Sequence, residues 1–252
     1  MMSLNPKIGR ILFKGEWSPQ QVDSAWNPSA PPLPTQLQQS IDQFWRQRQA
    51  RHTFNGDLAR LAGYEFRETG LKLYLQASDY KTLLYSNQHA SRLAEKNPEH
   101  LSRALGISAI VETNNNSIVY IKRSDKVGEY PLVHDIPGGH IDVPESGTPD
   151  AFASIKQEII EELGIPVRNP IELIGMIETF ETLKPELIFK FFSQLSEKDI
   201  KNFGRTAKDR FEYTDLLFCP CDKLSALLSD KTFSPSAYSS LVLYSQTQEV
   251  IC

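Results

Sequence analysis

Hydrophobic positions change their period several times along the chain, and each change marks an element. Apolar residues alternate in "KIGRILFKGEW", which predicts a short strand. The proline-rich "NPSAPPLP" that comes later can continue neither a helix nor a central strand. In "TQLQQSIDQFWRQRQ", Leu37, Ile41, Phe44 and Trp45 recur at helical spacing, and Thr35 stands where an N-cap belongs. "LARLAGYEFRETGLKLYLQ" then reads as two strands around a turn at Glu68 to Gly70, and "DYKTLLYSNQHASRLAEKN" returns to a helical period.

From Gly106 the alternation sharpens. "ISAIVET", the turn "NNN" and "SIVYIKR" predict a hairpin, and "LVHDI" a strand that runs into Gly138 and Gly139. "PIELIGMIETF", "LIFKFFSQL" and "TDLLFCP" predict further strands, "CDKLSALL" and "SPSAYSSLVLYSQ" helices. Strands interleaved with helices in this way define an α/β class of the mixed α+β kind, a mixed sheet with helices on its faces. The pattern shifts near Leu105, dividing a smaller α+β region, 1–105, from a second domain, 106–252. The first region carries no chemical motif but is large enough to line or cover a site in the second, as a substrate-recognition cap.

Composition narrows the function. With 40% hydrophobic residues the chain can bury its own core, and a net charge of -4 with dispersed Lys and Arg disfavours a nucleic-acid partner. The chain has no apolar run near the ~20 residues of a membrane span, and its start lacks the pattern of a secretory signal, so a cytoplasmic protein without a membrane partner is expected. Cys219, Cys221 and Cys252 form neither a disulfide framework nor a zinc knuckle. Of the five histidines, only His140 stands beside the glycine pair.

The chemistry concentrates in "DIPGGHIDVPESGTPDAFASIKQEIIEELGIP". Thr148 can cap a helix there, with Pro149 in its first position, Asp150 at its positive end and Gly164 at its stop. At 100° per residue Phe152, Ile155, Ile159 and Leu163 form an apolar stripe, and Glu158, Glu161 and Glu162 gather beside it. Like charges three or four apart cost ~0.2–0.5 kcal/mol per pair, a sign that a divalent cation reverses. Taken alone, such a cluster is also what a solvated acidic face looks like, and paired glycines what an ordinary turn looks like.

In combination, Gly139, Glu145, Glu158, Ile159, Glu161, Glu162, Gly164 and Ile165 resemble the Nudix box, in which G, five residues, E and seven residues precede R-E-U-x-E-E-x-G-U, U being aliphatic. Two departures stand out. Eleven residues rather than seven follow Glu145, and Gln157 replaces the arginine that in the family orients a glutamate. The longer loop, with "VYIKRSDKVGEYPLVHDIPGGH", "FNGDLARLAG" and "ASDYKTLLYSN" in order, is similar to the UDP-glucose and UDP-galactose pyrophosphatase branch. That resemblance implies a Nudix α/β/α sandwich and magnesium-dependent hydrolysis, with manganese as a possible substitute, of a UDP-sugar to UMP and a sugar 1-phosphate. It implies Glu158, Glu161 and Glu162 as catalytic metal ligands with the Gly139 carbonyl, one of Glu161 or Glu162 taking the proton of water. Gly138 would let the backbone approach the ligand, Arg123 and Ser124 would face the diphosphate, and Glu145 would hold the loop or join the metal shell. Tyr80 would stack on uracil or bond the substrate, or else serve as a core aromatic. The alternatives are a Nudix enzyme for another conjugate, such as ADP-ribose, an ADP-sugar or coenzyme A, and a nucleotide-binding module of the same fold without turnover.

Overall fold

The computed structural model describes residues 8–48 and 54–248. Lys7 of the first strand stretch, His52 and Cys252 therefore lie outside the described residues. The strands are β1 (Gly9–Trp17), β2 (Val22–Asn27), β3 (Asp57–Arg67), β4 (Gly70–Asp79), β5 (Gly106–Glu112), β6 (Ser117–Arg123), β7 (His134–Asp135), β8 (Gly138–His140), β9 (Ile171–Thr179), β10 (Pro185–Phe192) and β11 (Tyr213–Pro220). The α-helices are α1 (Thr35–Arg48), α2 (Tyr80–Gln88), α3 (Ala90–Lys96), α4 (Ala151–Leu163), α5 (Glu197–Gly204), α6 (Leu224–Asp230) and α7 (Pro235–Gln248).

The large sheet has the order β1-β9-β10-β5-β6-β11, with β7 on β6 and β8 on β5. β10 and β5 run parallel and the other neighbours antiparallel, so the sheet is mixed. Alternation along β5 sends Ile107, Ala109 and Val111 into one core with Ile155, Ile159 and Leu163 of α4. Ile110 enters another with Leu224 and Leu228 of α6 and Leu241 of α7. Helices thus cover both faces of the sheet, an α/β/α sandwich. No described helix is long and apolar enough to cross a membrane.

A second sheet, β2-β4-β3, belongs to the first region of the sequence, and α1, α2 and α3 form a small core around Ile41, Tyr85 and Leu93. The two regions are joined through the core. Leu61, Leu71, Leu73 and Leu75 share the α4-side cluster with Ile107 and Ile155, while β1 pairs with β9 in the large sheet.

The pattern misses β2 and α5 altogether and differs from the structure at three other points. β5 and β6 meet only at Glu112 and Ile118 beside the "NNN" turn, then splay, and β8 and β7 occupy the opening. The "LVHDI" strand shrinks to β7. The cap of α4 is Asp150, not Thr148: its carboxylate accepts the N–H groups of Phe152 at 2.8 Å and Ala153 at 3.2 Å. A carboxylate at the positive helix end outranks a hydroxyl because it adds charge to the hydrogen bonds. Gly164 does end the helix, at φ 69.

Replacing Asp150 by Ala is expected to cost ~1 kcal/mol in denaturant unfolding. Thr148→Ala should stay within about 0.5 kcal/mol of the parent, as an uninvolved surface change does. The reverse ranking would return the cap to Thr148.

Candidate active site

A cleft of about 450 Å³ lies where β5 and β6 part, with Arg123, Gly138, Gly139 and Glu158 on its walls. α4 sets the acidic wall. Its apolar stripe is fixed in the core, which brings Glu158 and Glu162 toward Gly138 and Gly139. A side chain at Gly139 would overlap the Glu158 carboxylate, and one at Gly138 would meet the Ile107 carbonyl. At Gly138 the obstacle is backbone, so only glycine lets the strands pass this close, whereas at Gly139 it is the end of a side chain that can swing away.

The three glutamates have separate fates. Glu162 is 2% exposed, and its Oε2 accepts the Gly138 N–H at 2.9 Å. Burial, with Glu158 and Glu212 nearby, raises its pKa well above the usual range. Glu158 lines the cleft and is pushed up to about 8, first by burial and then by Asp142, Glu212, Glu161 and Asp209. Glu161 turns outward. Its Oε1 accepts Lys208 Nζ and Gln157 Nε2, both at 2.5 Å, and these donors hold its pKa low. Where the Nudix pattern has arginine, a neutral amide therefore shares Glu161 with an ammonium from a distant segment.

Of the other residues singled out in the sequence, Arg123 and Tyr80 line the cleft, whereas Ser124 does not. Arg123 Nη1 donates to Asp135 Oδ2 at 3.0 Å, but its buried Nε has no hydrogen-bond partner. The Ser124 hydroxyl accepts the Lys126 N–H at 3.2 Å and so shapes the loop after β6. Tyr80 opens α2, with its ring edge-on to Trp45. Glu145 sits exposed on the extended loop, away from the cleft walls.

Four wall residues, Glu212, Phe211, Lys184 and Glu186, carry no sequence signal that marks them. Glu212 and Phe211 come from the 3-10 turn Arg210–Glu212. Burial raises the Glu212 pKa against the pull of Arg123, and Phe211 remains 60% exposed at the cleft wall.

Among the described residues, no three acids, histidines or cysteines are gathered closely enough to hold a metal ion by themselves. Magnesium needs fewer, because it retains waters and takes substrate oxygens beside one or two carboxylates. Glu158, its pKa raised by burial and four neighbouring acids, fits that requirement, with Glu212 and Asp142 on the same cleft walls. Glu161 and Glu162 hold other partners.

No family model matches the chain. Individual proteins do. It is 30% identical over 260 residues to Nudix hydrolase 9 of Arabidopsis thaliana, an alignment covering 84% of this chain and 82% of that protein. It is 23% identical over 286 residues to the uridine diphosphate glucose pyrophosphatase NUDT22 of Mus musculus, covering 96% and 92%. A solved Nudix hydrolase from Alicyclobacillus acidocaldarius overlays with a TM-score of 0.39 at 13% identity, over 55% of this chain and 90% of its own. The chain belongs to the Nudix hydrolase family, and it is an enzyme of that family.

Glu158 provides a test of the electrostatics. Its folded pKa of about 8 exceeds the ordinary 4.5, so between these values the folded state keeps a proton that the unfolded chain has released. Without divalent cations, stability therefore declines as pH rises through that window. Each tenfold difference in proton affinity between the two states is worth ~1.4 kcal/mol, and each kcal/mol moves the melting temperature by roughly 2–4 °C in a chain of this size. Thermal melts in chelator should show a shallower decline from pH 5 to 8 for Glu158→Gln than for the parent; equal slopes would contradict the burial of this charge.

Proposed function

We propose that this chain is a magnesium-dependent pyrophosphatase of UDP-sugars, UDP-glucose and UDP-galactose among them, releasing UMP and the sugar 1-phosphate. The observation that carries the reading is the pairing in one cleft of a half-buried acidic wall, Glu158 with Glu212, and a guanidinium with an unpartnered nitrogen, Arg123. Anionic oxygens suit a hard cation, and the guanidinium suits phosphate oxygens. The choice of UDP-sugars is supported by the relative from Mus musculus, aligned over nearly the whole of both chains.

When bound, magnesium or manganese supplies neutralisation of the diphosphate and activation of water. Glu158 would hold it, with the Gly139 carbonyl as a further ligand. Arg123 Nε donates to a phosphate oxygen while Asp135 keeps the guanidinium oriented. Glu162 fixes the Gly138 amide, which makes it a positioning residue for the glycine pair. With Glu161 facing Lys208, the carboxylates of Glu158, Glu212 and Asp142 on the cleft wall are those beside the glycine pair and Arg123 to which we assign receipt of the proton of water. Residues 1–105 act in recognition as well as folding, since Leu58 and Tyr80 reach the cleft from that region. Tyr80 and Phe211 offer rings against which a uracil can rest.

A panel of UDP-glucose, UDP-galactose, ADP-ribose, an ADP-sugar and coenzyme A, with and without magnesium, tests this reading. UMP should appear from the UDP-sugars and only with the cation. Cleavage of an adenine conjugate but not of UDP-glucose would replace the substrate class, and ligand binding without any turnover would leave a binding module. Glu158→Gln should lower kcat on the order of 100-fold or more, the range for losing a charge-stabilising or proton-transferring group.

A further inference from the structure

The cleft has a second wall, on the other face of the sheet from α4, that neither the acid cluster nor the diphosphate uses. Residues opposite one another on neighbouring strands face the same way. Glu186 of β10, Gly106 of β5 and His140 of β8 form such a row. Glu186 shares its strand face with Ile188, which packs in the α7-side core.

The middle of the row is a glycine. A Cβ on Gly106 would come within 2.9 Å of Glu186 Oε2 and 3.0 Å of its Cγ, so the absent side chain lets Glu186 lean across. Ser108, two residues along β5, donates its hydroxyl to Glu186 Oε1. Lys184 Nζ lies 3.4 Å from Glu186 Oε2, with the two side chains 15% and 4% exposed. His140 Nε2 is buried and has no hydrogen-bond partner. His140, Lys184, Glu186 and Ser108 all line the cleft that holds Glu158 and Arg123.

These groups present a strong acceptor, a strong donor and a ring nitrogen that does either according to its tautomer. With Glu186 paired to Lys184 the group lacks the net positive charge that a phosphate site needs, and the rings of Tyr80 and Phe211 on the same cleft suit a uracil better. Neighbouring hydroxyl groups match the set best, because each hydroxyl both donates and accepts. An ion pair can accept from one and donate to the next, and a third can supply the partner that His140 Nε2 lacks. A buried polar atom without a partner costs free energy that such a ligand returns on binding.

We propose that His140, Lys184 and Glu186 form the subsite that grips the hydroxyl groups of the hexose, and that these residues set the preference for a sugar-linked diphosphate. The assignment rests on the UDP-sugar reading above. The test compares kcat/KM on UDP-glucose, on the methyl ester of UDP, which lacks the hexose, and on UDP-glucose built on 2′-deoxyuridine, which lacks a ribose hydroxyl. His140→Ala should reduce the preference for UDP-glucose over the methyl ester at least tenfold, mainly through KM. His140→Gln should retain most of that preference, because an amide can still donate or accept. Glu186→Gln, nearly the same shape, should act in the direction of His140→Ala, with thermal melts confirming that each variant is folded.

A preference unchanged in both His140→Ala and Glu186→Gln would overturn the proposal. So would a loss of discrimination confined to the deoxyribose comparison, which would move the subsite to the ribose. If the unaltered protein splits the methyl ester but not UDP-glucose, the UDP-sugar reading itself fails, a result distinct from an unchanged preference in an active enzyme.

Discussion

Two carboxylates one helical turn apart, Glu158 and Glu162, are withdrawn from bulk water, Glu162 fully and Glu158 in part, and the arrangement of the site follows from that cost. Burial heads the causes that raise each pKa, and each acid is raised further by acidic neighbours. Glu162 finds relief in one directed contact. Glu162 takes the Gly138 N–H, which requires β8 to pass directly over α4. Glu158 lies over Gly139, in the space that a side chain at that position would share. β8 in turn occupies the edge of β5 that a regular hairpin would have given to β6. The splayed strands, the glycine pair and the acidic cleft are thus one solution to one electrostatic problem.

The altered box shows how such a solution tolerates substitution. An arginine one position before Glu158 could give Glu161 a charge and a geometry together. Here the two are supplied separately, the geometry by Gln157 four residues back on the same helix and the charge by Lys208. The Lys208 segment is tied to the helix independently, since the Asp209 N–H donates to the Glu161 carbonyl at 2.9 Å. Glu161 consequently has a low pKa while its helix neighbours are raised. Three acids of one motif are set to different protonation behaviour by what each one touches.

Most of the sandwich could be read from periodicity, because the strands and helices that build it bury one clear face. β9 and β10 run almost wholly through the core, and the stripe from Ile155 to Leu163 settles how α4 sits. The elements that escaped have weaker patterns. β2, "VDSAWN", has no fully buried position, and α5 buries only Ile200 and Gly204. At the site, the glycine pair and Glu158 were legible because they sit in one short motif. Glu212, Phe211, Lys184 and Glu186 were not, since they reach the cleft from separate strands and turns with no spacing to mark them. Ser124 shows the reverse problem: its place in the chain suggested a ligand contact, while the residue is buried off the cleft walls and its hydroxyl accepts the Lys126 N–H.

The relation between the two regions bears on how recognition can be dissected. The pattern change near Leu105 separates the β2-β4-β3 sheet from all of the large sheet except β1, and it does not separate two cores. Leu61, Leu71, Leu73 and Leu75 lie in the cluster that contains Ile107, Ile155 and Phe189. β1 supplies an edge strand to β9, and Arg103 donates through Nε to the Leu61 carbonyl at 3.2 Å. Removing residues 1–105 would strip an edge strand and expose apolar surface on the α4 side, at about 25 cal/mol per Å². Lost activity in such a truncation would therefore measure stability at least as much as substrate contact. Tyr80 is the better probe of recognition, because its ring reaches the cleft from the start of α2 while the helix is capped separately, by Asp79 accepting the Thr82 N–H at 2.9 Å.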